Sequence, residues 1–145
     1  IMPSLVGSEM CIRDREKFGL RMVPMKETKN YFHTENEKPR AIIFGSDQSP
    51  SNTKNAHWIK FLNQESGFLF GAEKYAKEFN WPVVFVSIRK TKRGTYQLSF
   101  QLITDKPNKE PKGKITEDFA NLLEADINRN PPYYLWTHNR WKKSK

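Results

Sequence analysis

Apolar residues in this chain fall into runs of three kinds, and each kind predicts a different element. Residues 40–45 (RAIIFG) and 82–88 (PVVFVSI) are unbroken apolar runs, the pattern of strands buried on both faces as in a parallel sheet. Residues 95–103 alternate instead, with Tyr96, Leu98, Phe100 and Leu102 on one face and Gln97, Ser99 and Gln101 on the other. That period of two marks a strand with one wet side near a sheet edge, and Arg93-Gly94 serves the turn from the strand before it. Residues 20–23 form a short strand candidate ahead of Pro24.

Helical spacing appears in the remaining segments. Residues 26–37 are polar but helix-permissive. Residues 66–80 place Phe68, Ala72, Tyr75, Ala76 and Phe79 on one stripe. Residues 116–129 begin with Thr116 as a cap and with Glu117 and Asp118 at the positive end of the helix dipole. Their stripe is Phe119, Leu122, Leu123 and Ile127, and Pro131-Pro132 ends it. The order strand, helix, strand, helix, strand, strand, helix predicts an α/β fold, a central mostly parallel sheet flanked by helices. There are no internal repeats.

Chemistry in such a sheet concentrates at the carboxyl ends of the strands. The run at 40–45 stops at Gly45 and delivers Ser46, Asp47 and Gln48 into a turn closed by Pro50. A carboxylate and an amide there stand where ligands bind. Asp47 and Ser49 also suit the plain role of turn residues, and the pattern leaves both readings open.

Composition narrows the field. The length, 145 residues, is that of one domain. Residues 1–15 (IMPSLVGSEMCIRDR) look like the translated end of a sequencing-library adapter and are set aside, which leaves residues 16–145 as the domain. The only cysteine, Cys11, lies in that tail, so the body holds no disulfide or thiolate metal site, in keeping with a reducing compartment. The charges of the tail cancel, and the whole +9 belongs to the body. Nucleic acid, acidic protein, phosphorylated lipid and anionic membrane surfaces are the partners such a balance attracts, whereas residues 106–114 (KPNKEPKGK) read as a solvated loop. No apolar stretch approaches the roughly 20 residues of a membrane-spanning helix.

Several chemistries lack their motifs. None of His33, His57 and His138 has a second histidine four residues on, so no helical histidine pair for zinc is formed. Residues 67–71 lack the lysine and the spacing of a phosphate loop, and there is no G-x-S-x-G elbow. Residues 133–143 (YYLWTHNRWKK) interleave four aromatics with His138, Arg140 and lysines. Such a cluster binds nucleic acid or phosphorylated headgroups, sits at a membrane interface, or docks on the core with its basic groups in water.

Four blocks, in order and at matching spacing, carry a resemblance: FGLRMVPMKET at 18–28, the run ending in SDQSP at 40–50, NAHWIKFLNQESGFLFGAEKYAKEFNWPVVFVSIRK at 55–90, and YLWTHNRWK at 134–142. Over residues 16–145 the chain resembles the C-terminal part of the bacterial lipid A biosynthesis (lauroyl/myristoyl) acyltransferase family, in the lysophospholipid acyltransferase superfamily. Its style is similar to Bacteroidetes versions. The resemblance implies transfer of a fatty acyl group from acyl carrier protein to a hydroxyl of a lipid A precursor, at the cytoplasmic face of the inner membrane. It implies no cofactor, metal or covalent enzyme intermediate.

In that superfamily the base is a histidine in a His-(four residues)-Asp/Glu motif, its acid orienting the imidazole. Here the fifth residue after His33 is Lys38, after His57 it is Leu62, and after His138 it is Lys143. The catalytic pair is expected upstream, together with any membrane anchor, and the 145-residue chain alone is expected to be inactive. What the resemblance carries over is a substrate-binding half. Asp47 and Gln48 would line the acceptor's polar headgroup or brace the catalytic histidine. Arg21 would hold a phosphate or sugar anion by its two-pronged fork. Trp58 and Phe61 would line the acyl groove, with Phe68 as core or groove. His138 and Arg140 belong to the terminal block, where Asn139 replaces the first of two usual arginines. Partners are then the acyl carrier protein, the lipid acceptor and an anionic membrane surface. A lysophospholipid or aminolipid acyltransferase is the neighbouring alternative, and a basic nucleic-acid-binding module is the alternative of another class.

Overall fold

The computed structural model describes residues 12, 14–24, 26–34, 39–50, 53, 56–137, 140 and 141. The chain divides into two units, residues 1–42 and 43–145.

The first unit carries the short helix α1 (Thr28–His33), whose buried residue is Phe32, and a helical stretch at residues 14–16. The last carbonyls of any helix lack partners within it. Here Arg40 supplies them, its Nη1 and Nη2 donating to the carbonyls of Tyr31 (3.5 Å) and Phe32 (3.2 Å). Thr34 donates its hydroxyl back to the Asn30 carbonyl at 3.0 Å and leaves the helix in extended conformation. The helix expected over 26–37 is therefore only one and a half turns long among the described residues. With a single buried apolar side chain, little packing energy extends it.

Two expected strands are absent. Residues 20–23 and 40–45 run as irregular chain, and no described strand pairs with either. An apolar run becomes a strand only where a neighbour takes up its N–H and C=O groups. Without one, Ile43 is 80 % exposed instead of doubly buried.

In the second unit β1 (Ala56–Phe61) and β2 (Gln64–Leu69) form an antiparallel hairpin, paired from Ala56 with Leu69 to Phe61 with Gln64. Its turn is Leu62-Asn63, both at positive φ (49° and 62°), the geometry that matches the twist of a two-residue hairpin. This corrects the helix expected over 66–80. Residues 66–69 belong to β2, and α2 (Gly71–Phe79) starts only after Phe70. Phe68 has the spacing of a helical stripe, but the hairpin turn and Gly67 commit it to a strand. Asn80 ends α2 in left-handed conformation (φ 52°).

β3 (Val83–Lys92) and β4 (Thr95–Thr104) form a second antiparallel hairpin across Arg93-Gly94, with Gly94 at φ 74°. The turn expected at Arg93-Gly94 is present, and a two-residue connection can only return the chain antiparallel. The described strands thus make two separate two-stranded antiparallel sheets, and no central parallel sheet is present among them. The fold is mixed α/β. The faces also differ from expectation. Val84, Val86 and Ile88 line up with Leu102, Phe100 and Leu98 on one exposed face, while Phe85 and Ser87 turn inward. Residues 82–88 are therefore a strand buried on one side only.

The last helix, α3 (Lys114–Arg129), begins two residues before the expected start, and the 3-10 turn Pro131–Tyr133 follows it. It lays Ala120 and Ile127 against Phe61 and Phe68 of the first hairpin, with Ile59, Leu62, Phe119, Leu123, Tyr134 and Trp141 around them. Phe61 and Phe68 meet edge to face at 5.2 Å and are fully buried. Truncating either to alanine costs about 3–5 kcal/mol.

Candidate functional site

The turn holding Ser46 and Asp47 rests on the first hairpin, and the chain's last described segment fastens it there. Gly67 permits the close approach. A Cβ at that position would lie 3.3 Å from Ala56 Cβ and 3.5 Å from Pro50 Cγ. Arg140 is 2 % exposed, its guanidinium 4.0 Å from the Phe68 ring centre and 4.9 Å from that of Phe61. Its Nη1 donates to the Asp47 carbonyl at 2.5 Å and its Nη2 to the Gly67 carbonyl at 3.3 Å. The Tyr134 hydroxyl donates to the same Asp47 carbonyl at 3.3 Å. Next in the chain, Trp141 Nε1 donates to Ser66 Oγ at 2.8 Å. One arginine thus joins three stretches of chain: the turn, the hairpin and the C-terminal segment.

Electrostatics sharpen the picture. Burial pulls the Arg140 guanidinium below its ordinary value, opposed by Tyr134 and by the Asp47 charge. Burial raises the Tyr134 phenol, with Arg140 pulling the other way. Nε of Arg140 is buried without a hydrogen-bond partner among the described residues. The cation is held by main-chain carbonyls and aromatic faces, a costly arrangement compared with an exposed arginine.

The other expected site residues are dispersed. Gln48 is exposed beside Asp47. Trp58 is half-buried on β1, opposite Gly67. Phe61, expected in a groove, is 0 % exposed within the core. Arg21 lies in the first unit, exposed, its guanidinium 5.2 Å from the Tyr31 ring centre; Arg40 stands at the same distance from that ring. His138 lies outside the described residues. Arg140, expected among basic groups in water or at a ligand, is inside.

Sequence reasoning missed a second polar cluster at the start of α3. Glu73 of α2, 1 % exposed, accepts from the Gly113 N–H (2.6 Å), the Thr116 N–H (2.9 Å) and the Thr116 hydroxyl (2.6 Å). The expected Thr116 cap is therefore a donor inside the first turn, and the capping acceptor comes from another helix. The available signal is an acid three residues before the buried Ala76. His57 Nε2 lies 3.2 Å from Glu117 Oε1, linking β1 to that first turn. It is a histidine–carboxylate contact made in space, without the sequence spacing of the acyltransferase motif. Among the described residues no group of three His, Cys, Asp or Glu side chains is placed to hold a metal, and no helix is long and apolar enough to cross a membrane.

The family model of the bacterial lipid A biosynthesis acyltransferases matches residues 6–143, beginning inside the adapter-like segment. The chain belongs to that family of acyltransferases, which is associated with the inner membrane. No curated protein and no solved structure matches it.

Proposed function

We propose that this chain is the acceptor-binding portion of an enzyme that moves a fatty acyl chain from acyl carrier protein to a hydroxyl of a lipid A precursor. The supporting observation is the family match over residues 6–143, which includes the Asp47 turn and the segment that fastens it. In the reaction the hydroxyl oxygen attacks the thioester carbonyl, a base takes the hydroxyl proton, and the carrier thiolate leaves and recovers a proton. The base is the histidine of a His-x-x-x-x-Asp/Glu motif, which these 145 residues do not contain. Transfer therefore requires a histidine–acid pair from elsewhere in the complete enzyme.

Asp47 and Gln48 take the acceptor's polar headgroup, as hydrogen-bond acceptor and amide. Arg21 takes a phosphate or sugar anion. Trp58, half-buried, borders the acyl chain, while Phe61 serves from the core by supporting Arg140. Anionic lipid, a phosphorylated acceptor and an acidic carrier protein all favour the net charge of +9.

The test compares this chain with the product of the complete gene, using acyl carrier protein loaded with a fatty acid and a phosphorylated glycolipid acceptor. The complete product transfers the chain, this chain alone does not, and Asp47→Ala in the complete product weakens use of the acceptor. Full activity of that variant removes the site assignment. Transfer by the 145-residue chain, lost on His57→Ala, would instead make the His57–Glu117 contact the catalytic pair.

A further inference from the structure

We infer that Arg140 is a positioning residue: it acts on the acceptor through the main chain of Asp47 and does not touch the lipid. The inference rests on the acceptor reading of Asp47. Three observations carry it. Arg140 is 2 % exposed, so no ligand reaches its guanidinium without opening the core. Its guanidinium donates to the Asp47 carbonyl and to that of Gly67 on β2, and lies 4.9 Å and 4.0 Å from the ring centres of Phe61 and Phe68. Tyr134, from the same segment, donates to that same carbonyl.

The geometry explains why an arginine is buried at such cost. A trans peptide is planar, with its C=O and N–H pointing in opposite directions. Drawing the Asp47 carbonyl inward onto Arg140 turns the Gln48 N–H the other way. It also fixes the Cα positions from which the Asp47 carboxylate and Gln48 amide project. A polar headgroup then meets donors and acceptors already oriented, and binding does not have to order them. Lysine could neutralise the same space, but its compact, strongly hydrated ammonium lacks the planar fork and the weakly hydrated face that a guanidinium brings against aromatic rings. A purely structural filler would more cheaply be methionine.

The experiment uses the complete enzyme and reads kcat, acceptor KM, donor KM and Tm for Arg140→Met, Arg140→Lys, Asp47→Ala and the double variant Arg140→Met/Asp47→Ala. Arg140→Met is expected to raise acceptor KM about tenfold, the loss of one to two oriented hydrogen bonds, with kcat and donor KM nearly unchanged. Arg140→Lys recovers part of the loss. In the Asp47→Ala background, Arg140→Met adds little further to acceptor KM. If both single variants raise KM and their effects multiply in the double, the inference fails while the acceptor reading stands. An Arg140→Met enzyme with a lowered Tm and wild-type KM also overturns it. Wild-type KM in Asp47→Ala overturns the acceptor reading, and the inference with it. Should Arg140→Met not accumulate as folded protein, Tyr134→Phe carries the test: a smaller rise in acceptor KM, absent from the Asp47→Ala background, supports the inference, and no rise overturns it.

Discussion

Glu73 and Thr116 are joined by two hydrogen bonds, one to the Thr116 N–H and one to its hydroxyl, both to the same carboxylate oxygen, while the other oxygen accepts from Gly113. First-turn N–H groups have no partner within their helix. At the start of α3 a buried acid from α2 takes up those of Gly113 and Thr116, with Lys77 Nζ 3.6 Å from it. The carboxylate pins one helix to the other.

Removing that carboxylate leaves three buried donors unmet. Glu73→Ala is expected to cost about 3 kcal/mol, since each unmet buried donor costs about 1–3 kcal/mol and relaxation recovers part. Urea denaturation reads it directly, and Tm should fall by about 10 °C or more. Glu73→Gln keeps one acceptor and should lose less. A cost below about 1 kcal/mol for the alanine variant would mean that water replaces the acid at the helix start.

Gly113 sits at φ 91°, and a Cβ there would lie 2.6 Å from a carbon of the His57 ring. Gly113→Ala combines backbone strain with a clash and is expected to destabilise by about 2–3 kcal/mol. Adding His57→Ala relieves the clash and leaves the strain, so the double variant should be less unstable than the sum of the two single changes. Strict additivity in denaturation midpoints would contradict the close packing of the ring. Glu117→Gln, by contrast, removes only a partly exposed pair, for less than about 1 kcal/mol.

Alkaline stability should depend on Tyr134. Burial raises its phenol above the ordinary value, so the unfolded chain ionises first as pH climbs. The contribution is whole below the ordinary tyrosine value of about 10 and is lost as pH rises through the folded-state value. Ionisation also removes the hydroxyl proton that bonds Asp47. Denaturation free energies compared at neutral pH and above pH ~10 should show a steeper decline in the wild type than in Tyr134→Phe. Equal slopes would show the phenol to be as hydrated folded as unfolded.

The basic excess predicts binding to vesicles containing anionic phospholipid and little to neutral ones, each lysine or arginine near the surface contributing about 1 kcal/mol. Raising salt to about 0.5 M should release most of the protein, because the screening length then shrinks to a few ångströms. Co-sedimentation that ignores salt would assign the attachment to apolar contacts instead.

The parts legible in the sequence are those with local causes. Gly94, needing a positive φ, marks the β3–β4 turn, and the apolar stripe of α3 ends at Pro131-Pro132 as expected. What stays hidden depends on distant partners. The run at 40–45 has the composition of a doubly buried strand, yet a strand exists only beside another. Leu62-Asn63 lacks the glycine that usually betrays a two-residue hairpin turn, so Phe68 passes for a helical residue. Arg140 reads as a ligand-facing cation because its neighbours are basic and aromatic, whereas its seat is built by Phe61, Phe68 and Gly67, more than seventy positions earlier in the chain. The Asp47 turn is recognisable from its residue types; what fastens it is not.

The β3–β4 ribbon has a practical bearing on work at the bench. Val84, Val86, Ile88, Tyr96, Leu98, Phe100 and Leu102 stand 43–70 % open to solvent. A greasy flank of that extent drives clumping and sticking to columns and tubes. Polypeptide made from these residues alone will call for mild detergent, or for lysine or glutamate swaps at Phe100 and Ile88, before any titration on it reports chemistry rather than precipitate.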